Sequence, residues 1–154
     1  GGSLDKLIGD AVMAVFESKD DYHDAAAGLM AAIEMQSAMD EYRRQMVSLG
    51  MPEFFIGIGV NTGVSVVGNL GAKDQVSRTV LGDAVNLAAR VESLSKQGKP
   101  TNILFTEFTL NQLKTPPKHD FLMDTIVKGK SEPVKIYEVS ETVIQDWKNC
   151  NSTT

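Results

Sequence analysis

The sequence predicts a single domain of the α+β class, and three observations support this prediction. The length of 154 residues is typical of one domain and is enough to bury about 70% of the unfolded surface. Hydrophobic residues make up 42% of the chain and charged residues 23%, an ordinary composition for a globular protein. Short apolar runs with turn residues alternate with segments of helical periodicity, a mixture typical of α+β proteins rather than of doubly wound parallel sheets.

The first third of the chain predicts a β-hairpin followed by a long helix. Apolar runs at 4–8 and 11–16 flank Gly9-Asp10, and both residue types tolerate the positive φ of a tight turn. A helix is predicted over 21–49 because apolar residues recur there every three or four positions, and a glycine and a proline follow it. The apolar stripe, interpreted as a core face rather than a partner groove, consists of Gly28, Ala32, Met35, Met39, Tyr42, Met46 and Leu49.

The middle of the chain predicts a second hairpin, a strand and a second helix. Segments 54–60 and 64–69 are strand-like and are separated by Asn61-Thr62-Gly63, which supplies turn residues. A further strand is predicted over 76–81. Residues 83–97 have helical periodicity and are followed by a glycine and a proline that end the helix.

The last third predicts a strand, a short capped helix and a closing pair of strands. The strand is predicted over 102–105. Thr106 follows it and is predicted to cap a short helix, because its hydroxyl can accept a hydrogen bond from a free backbone amide. Segments 121–127 and 134–139 have the apolar patterning of two antiparallel strands.

Charge and cysteine content exclude several classes of function. The net charge of −5 and the pI of 5.0 argue against a protein that binds an extended nucleic-acid backbone, although local cations can still hold one small anion. No apolar run approaches the roughly 18 residues of a membrane span, and the start GGSLDK does not resemble a signal peptide. Cys150 is the only cysteine, so an internal disulfide is excluded and a reducing, cytoplasmic compartment is the simplest interpretation.

Asp10, at the tip of the first predicted hairpin, is a candidate ligand of a magnesium ion. Magnesium prefers hard oxygen ligands, commonly one or two carboxylates together with substrate phosphates. A carboxylate beside a glycine in a tight turn is well placed to reach such an ion. The alternative is that Asp10 is only a turn residue.

Asn86 and Arg90 lie one turn apart on the second predicted helix, away from its apolar face. The planar guanidinium of an arginine suits phosphate oxygens, and an asparagine nearer the helix N-terminus can orient a sugar hydroxyl. A helix N-terminus itself favours anions. The alternative is an ordinary solvated helix face.

Lys128 and Lys130 flank Gly129 between the last two predicted strands, where two lysines can hold a polyphosphate or simply form a basic β-turn. Gly57, Gly59 and Gly63 do not fit a dinucleotide-binding fingerprint, because their spacing is wrong and a strand-like sequence follows where a helix should begin. The sequence contains no Walker-type phosphate loop.

These motifs in this order resemble the catalytic domain of the class III nucleotide cyclases, the family of adenylyl and guanylyl cyclases. The resemblance covers about residues 1–139. It is carried by the stretches GGSLDKLIGDAVMAVF, IGIGVNTGVSVVGNLG, TVLGDAVNLAARVESL and VKGKSEPVKIYEV.

The resemblance implies a fold, a reaction and a set of roles. The expected fold is a ferredoxin-like palm, a mostly antiparallel sheet with packed helices. Family members form head-to-tail dimers, here a homodimer, and use two Mg²⁺ or Mn²⁺ ions to convert a nucleoside triphosphate into a cyclic monophosphate and pyrophosphate. By position, Asp10 matches a metal ligand, Asn86 orients the ribose, Arg90 stabilises charge on the α-phosphate and Lys128 holds the terminal phosphates.

Lys6 and Thr79 match the pair of residues that selects the base, and together they favour ATP. Lys6 can donate to N1 of adenine, and the Thr79 hydroxyl can accept from the N6 amino group. Guanine presents the reverse pattern, and guanylyl members of the family differ at this pair, with a glutamate at the lysine position. Threonine at position 79 resembles the bacterial-type adenylyl subgroup.

One departure from the family pattern leads to a further expectation. In the family, the first metal-binding aspartate, the first strand and the helices after it precede the segment that GGSLDK matches. We therefore interpret the chain as an N-terminally incomplete cyclase domain at 1–140 with an extension at 141–154. The chain alone is expected to be nearly inactive, and regulatory domains, with or without a membrane anchor, are expected in the parent protein. The alternatives are a regulatory module that dimerises and binds nucleotide without turnover, and a plain α+β interaction domain.

Overall fold

A computed structural model of the chain describes residues 2–17, 21–70, 77–97, 101–126 and 132–151, and it confirms the α+β class. None of the helices in these ranges combines the length and the hydropathy that crossing a bilayer requires. The elements in chain order are β1 (Ser3–Ile8), β2 (Ala11–Val15), α1 (Asp21–Ser48), β3 (Ile58–Val60), β4 (Val66–Leu70), β5 (Ser77–Leu81), α2 (Asp83–Leu94), β6 (Ile103–Thr106), α3 (Glu107–Leu110), β7 (His119–Thr125), β8 (Val134–Val139) and α4 (Glu141–Asn151).

The central sheet has four strands in the order β3-β6-β8-β7. β3 and β6 are parallel, whereas β8 pairs antiparallel with both β6 and β7. Side chains of β6 alternate between two cores: Ile103 and Phe105 pack with α1 and α4, and Leu104 packs with α2. The sheet is therefore covered by α1 and α4 on one face and by α2 on the other.

Two separate antiparallel hairpins accompany this sheet. The first joins β1 to β2 through Gly9, whose φ of +64° is the left-handed conformation that the sequence predicted for this turn. The second joins β4 to β5, with Val66 opposite Leu81. β1 also contacts β5, so the two hairpins meet along those strands.

The predicted hairpin between 54–60 and 64–69 is wrong. β3 pairs with β6 across the central sheet, and β4 pairs with β5. The predicted turn residues have another role: the Asn61 side-chain amide donates to the carbonyl of Ala84 at 2.9 Å, and the Thr62 hydroxyl donates to Thr109 at 3.1 Å. These side chains fasten the segment to α2 and α3, so the chain passes from one sheet to another instead of reversing.

The buried face of α1 also differs from the predicted stripe. Gly28 and Ala32 are buried as expected, but Met35, Tyr42 and Leu49 are exposed. The helix packs on the sheet through Ala25, Leu29, Ile33 and Gln36 in their place. The apolar residues toward the C-terminal end of α1 extend past the part of the helix that the core covers, so periodicity alone placed the face incorrectly.

The closing strands and the capped helix follow the prediction. β7 and β8 are antiparallel, and the Thr106 hydroxyl accepts from the backbone amide of Thr109 at 3.3 Å. The extension at 141–154 contains a helix that the sequence analysis did not predict. This helix, α4, packs on α1 through Ile144, and Lys148 forms an ion pair with Asp40.

Three glycines just before, within and just after β3 allow α2 and the turn that follows it to lie directly against this segment. A Cβ at Gly57 would lie 1.7 Å from Oγ of Ser95, and one at Gly63 would lie 2.9 Å from Cβ of Ala84. A Cβ at Gly59 would lie 2.3 Å from the amide nitrogen of Glu92 in α2. These glycines therefore set the position of the helix that carries Asn86 and Arg90.

Replacing Gly59 with alanine is expected to destabilise the domain by about 3 kcal/mol, because the new methyl group would overlap backbone atoms of α2 that cannot rotate away. For a domain of this size the melting temperature should fall by roughly 6–12 °C in thermal unfolding followed by circular dichroism. Gly68→Ala is the matched control, since nothing lies within 4 Å of its Cβ position. Equal melting temperatures for the two variants would contradict this packing.

Candidate nucleotide-binding and active site

Lys6 on β1 and Thr79 on β5 lie in direct contact, although 73 positions separate them in the sequence. The Lys6 ammonium donates a hydrogen bond to the Thr79 hydroxyl oxygen. Thr79 is buried, with 4% of its surface exposed, whereas 37% of the Lys6 side chain remains exposed. The structure thus brings together the two residues that the sequence predicted to select the base, at the junction of the two hairpins.

Asp5 completes this cluster, and the sequence analysis did not identify it. Its Oδ2 lies 3.0 Å from Nζ of Lys6 and accepts from the Thr79 hydroxyl at 3.0 Å. Only 7% of the Asp5 side chain is exposed. A β-bulge between Leu4 and Lys6 leaves Asp5 without a cross-strand partner in the hairpin.

The pKa of Asp5 lies below its ordinary value of 3.8 as the net result of opposing effects. Burial raises the pKa of Asp5. This effect is outweighed by the hydrogen bonds from Lys6 and Thr79, the positive charge of Lys6 and a backbone hydrogen bond from Val80, all of which lower the pKa. Asp5 is therefore a carboxylate at neutral pH, and the cluster contains one negative and one positive charge.

An open cleft runs beside this cluster between the two hairpins. Its lining is Ser3, Leu4, Asp5, Val15, Glu17, Val67, Thr79 and Val80. Half of these side chains are apolar and half are polar or charged, so the cleft offers both kinds of contact.

Asn86 and Arg90 lie on α2, which begins four residues after Thr79. Both side chains are exposed and are neighbours along the helix, whereas Leu87 and Val91 point into the core. Gly82, with a φ of +145°, turns the chain from β5 into α2. Thr79 and the two polar residues of α2 are therefore carried by consecutive elements, β5 and α2.

Asn61 fixes the first turn of α2, whereas its sequence context predicted only a turn residue. Its amide donates to the Ala84 carbonyl at 2.9 Å, and its oxygen accepts from the buried Thr106 hydroxyl at 2.7 Å. Through these bonds the start of α2 is tied to the end of β6. Asn61 therefore helps to fix the position of α2.

Asp10 lies at the exposed tip of the β1–β2 hairpin. Within the described ranges, no three His, Cys, Asp or Glu side chains are grouped to hold a metal ion. One carboxylate with substrate phosphates and water fits a single Mg²⁺, and a pair of ions needs another carboxylate. Lys128, the remaining predicted site residue, lies outside the residues that the structure describes.

Comparison with known proteins places these features in a family. The model of the adenylate and guanylate cyclase catalytic domain matches residues 6–141. An adenylate cyclase of Anabaena cylindrica is 43% identical over an alignment of 146 residues, and the match covers 90% of this chain and 28% of that protein. The terminal-differentiation-specific adenylate cyclase of Dictyostelium discoideum is 40% identical over 149 residues, 95% of this chain and 7% of that protein. The chain therefore spans between 7% and 28% of the length of these two relatives.

Solved structures agree with the family match. The adenylyl cyclase CyaB of P. aeruginosa has a TM-score of 0.80 and 33% identity, over 91% of this chain and 72% of that one. A guanylyl cyclase has a TM-score of 0.74 and 30% identity over the same shares of the two chains. With the family model covering most of its length, the chain belongs to the family of adenylate and guanylate cyclase catalytic domains.

Proposed function

We propose that the protein is an adenylate cyclase, which converts ATP into 3′,5′-cyclic AMP and pyrophosphate. The observation that carries this proposal is the contact between Lys6 and Thr79 beside the cleft. A lysine offers only donors, which suit N1 of adenine, and the threonine oxygen offers an acceptor to the N6 amino group. Guanine would place its N1–H donor against the Lys6 ammonium, which is also a donor. A buried polar group would then lack a hydrogen-bond partner, and the affinity for GTP would fall.

The other polar residues act on the ribose and the phosphates in this proposal. The 3′-oxygen bonds to the α-phosphorus as the bond from that phosphorus to the pyrophosphate oxygen breaks, and the hydroxyl proton leaves to solvent. Asn86 orients the ribose, Arg90 donates to the α-phosphate oxygens, and Lys128 holds the terminal phosphates. Mg²⁺ or Mn²⁺ bound at Asp10 would supply positive charge to the phosphates and acidify the 3′-hydroxyl.

We further propose that two copies share each site, with Asp10 from one protomer facing Asn86 and Arg90 of the other. The exposed apolar residues of the hairpin that carries Asp10 support such an interface: Leu4, Leu7, Ile8 and Val12 are each more than half exposed. Apolar surface of this extent around one element is typical of a contact with another protein surface. A dimer would cover it next to the proposed site.

A non-enzymatic module that binds nucleotide is the second candidate function. The observation that favours it is that no three His, Cys, Asp or Glu side chains are grouped to hold a metal ion among the residues that the structure describes. ATP binding without any cyclic product in the full-length protein would favour the module.

The experiment that tests the proposed function supplies the full-length protein with ATP or GTP and Mn²⁺ or Mg²⁺ and measures both cyclic nucleotides. We expect cyclic AMP as the main product. Lys6→Glu should lower the kcat/KM for ATP by at least about 100-fold, because a carboxylate would face the N1 acceptor of adenine. Lys96→Glu, a charge reversal at an exposed lysine beyond α2, is the matched control. Faster formation of cyclic GMP by the unmodified protein would overturn the choice of ATP.

A further inference from the structure

The side chain of Asp5 controls which hydrogen bonds Thr79 can offer to a base. A threonine hydroxyl has one donor and two acceptor positions and normally rotates to suit its partner. In the structure this hydroxyl lies 3.0 Å from Oδ2 of Asp5. An ionised carboxylate accepts only, so the hydroxyl must donate its proton to Asp5.

The contact with Lys6 requires the same orientation of the Thr79 hydroxyl. Its ammonium has no acceptor, so in the contact with Thr79 the threonine oxygen must be the acceptor. Lys6 also donates toward Asp5, at 3.0 Å, and so two of its three N–H groups are directed to this cluster. The third remains for a ligand, and 37% of the side chain is exposed to receive one.

The β-bulge makes this arrangement possible. Consecutive side chains of a regular strand point to opposite faces, so Asp5 and Lys6 would not both reach Thr79. The hairpin register skips one residue between Leu4 and Lys6, and Asp5 is the extra residue. A bulge re-aims a side chain in this way, and here it turns the carboxylate toward β5.

We propose that Asp5 is a specificity-determining residue, which holds the Thr79 hydroxyl as a pure acceptor and thereby selects adenine over guanine. This inference rests on the proposed function, because it assumes that Thr79 faces the base. A freely rotating hydroxyl could donate to O6 of guanine as readily as it accepts from N6 of adenine. With its proton committed to Asp5, the hydroxyl can only accept, and the O6 of guanine meets a lone pair. Asp5 acts through Thr79 and is a positioning residue.

The test compares ATP with GTP in the same samples of full-length protein, by kcat/KM and by competition of each nucleotide against a fluorescent ATP analogue. Asp5→Ala should lower the ATP-to-GTP ratio about tenfold in both measurements. Asp5→Asn should largely restore the ratio, because both contacts are made to the single oxygen Oδ2 and an amide oxygen can replace it. A residue with only a structural role would change the amount of folded protein and leave the ratio unchanged.

A double-mutant cycle with Thr79→Val isolates the proposed route. In that background Asp5→Ala should not change the ratio further, since no hydroxyl remains to be oriented. An unchanged ratio in Asp5→Ala alone, or an equal change in both backgrounds, would overturn the role of Asp5. A protein that binds ATP over GTP but forms no cyclic product would refute the proposed function, and the competition measurement would still decide on Asp5. Binding of neither nucleotide would overturn both.

Discussion

Arg90→Ala is expected to lower the kcat for cyclic AMP formation by about 100- to 1000-fold. The proposed role of Arg90 is to donate to the α-phosphate while negative charge develops there, and removal of one such donor in other enzymes costs a factor of this size. Because Arg90 is exposed on α2 and the core contacts of the helix are made by Leu87 and Val91, the melting temperature should not change. Steady-state kinetics with ATP and thermal unfolding of the same samples check both parts.

Two further substitutions define what Arg90 supplies. Arg90→Lys keeps the positive charge but loses the planar pair of donors, so we expect a smaller but clear decrease in kcat. Lys96→Ala removes an exposed cation just after α2 and should leave kcat within about twofold, as expected for a surface change away from the site. A kcat for Arg90→Ala within tenfold of that of the unmodified protein would show that α2 does not face the reacting phosphate.

The parts of the fold that depend on neighbouring residues could be predicted from the sequence. Gly9-Asp10 correctly predicted the first hairpin, and Thr106 correctly predicted the cap of α3. Both predictions depend on conformational preferences and hydrogen bonds that involve only a few neighbouring positions. The pairing of β3 with β6 could not be predicted in this way. It joins Ile58 to Ile103 across the sheet, and the local turn residues between 60 and 64 favoured a hairpin instead.

The candidate site shows the same limit. The resemblance to cyclases paired Lys6 with Thr79, and the structure places them in contact. The role of Asp5 could not be predicted, because an acidic residue next to a lysine in a regular strand points to the opposite face of the sheet. The one-residue bulge that brings both side chains to the same side leaves little signal in the sequence. The only signal for Asp5 in the sequence is its position next to Lys6. The glycine spacing around Gly59 excludes a dinucleotide-binding motif but does not predict its close contact with α2, which spans more than 30 positions.

A shared site makes a strong prediction about mixtures of inactive variants. Asp10→Asn and Arg90→Ala of the full-length protein should each have less than about one hundredth of the normal activity. Mixed in equal amounts and allowed to exchange protomers, they should recover about one quarter of it. Random pairing makes half of the dimers mixed, and each mixed dimer contains one of two sites with both native residues.

The control mixture combines Asn86→Ala with Arg90→Ala. Both residues lie on α2 of the same protomer, so every site in every dimer contains at least one substitution and no activity should return. Recovery in the first mixture but not in the second would assign Asp10 and Arg90 to opposite protomers of one site. If fluorescence energy transfer between labelled protomers shows exchange and the first mixture stays inactive, each site lies within a single chain. The exposed apolar surface of the β1–β2 hairpin would then need a different partner to cover it.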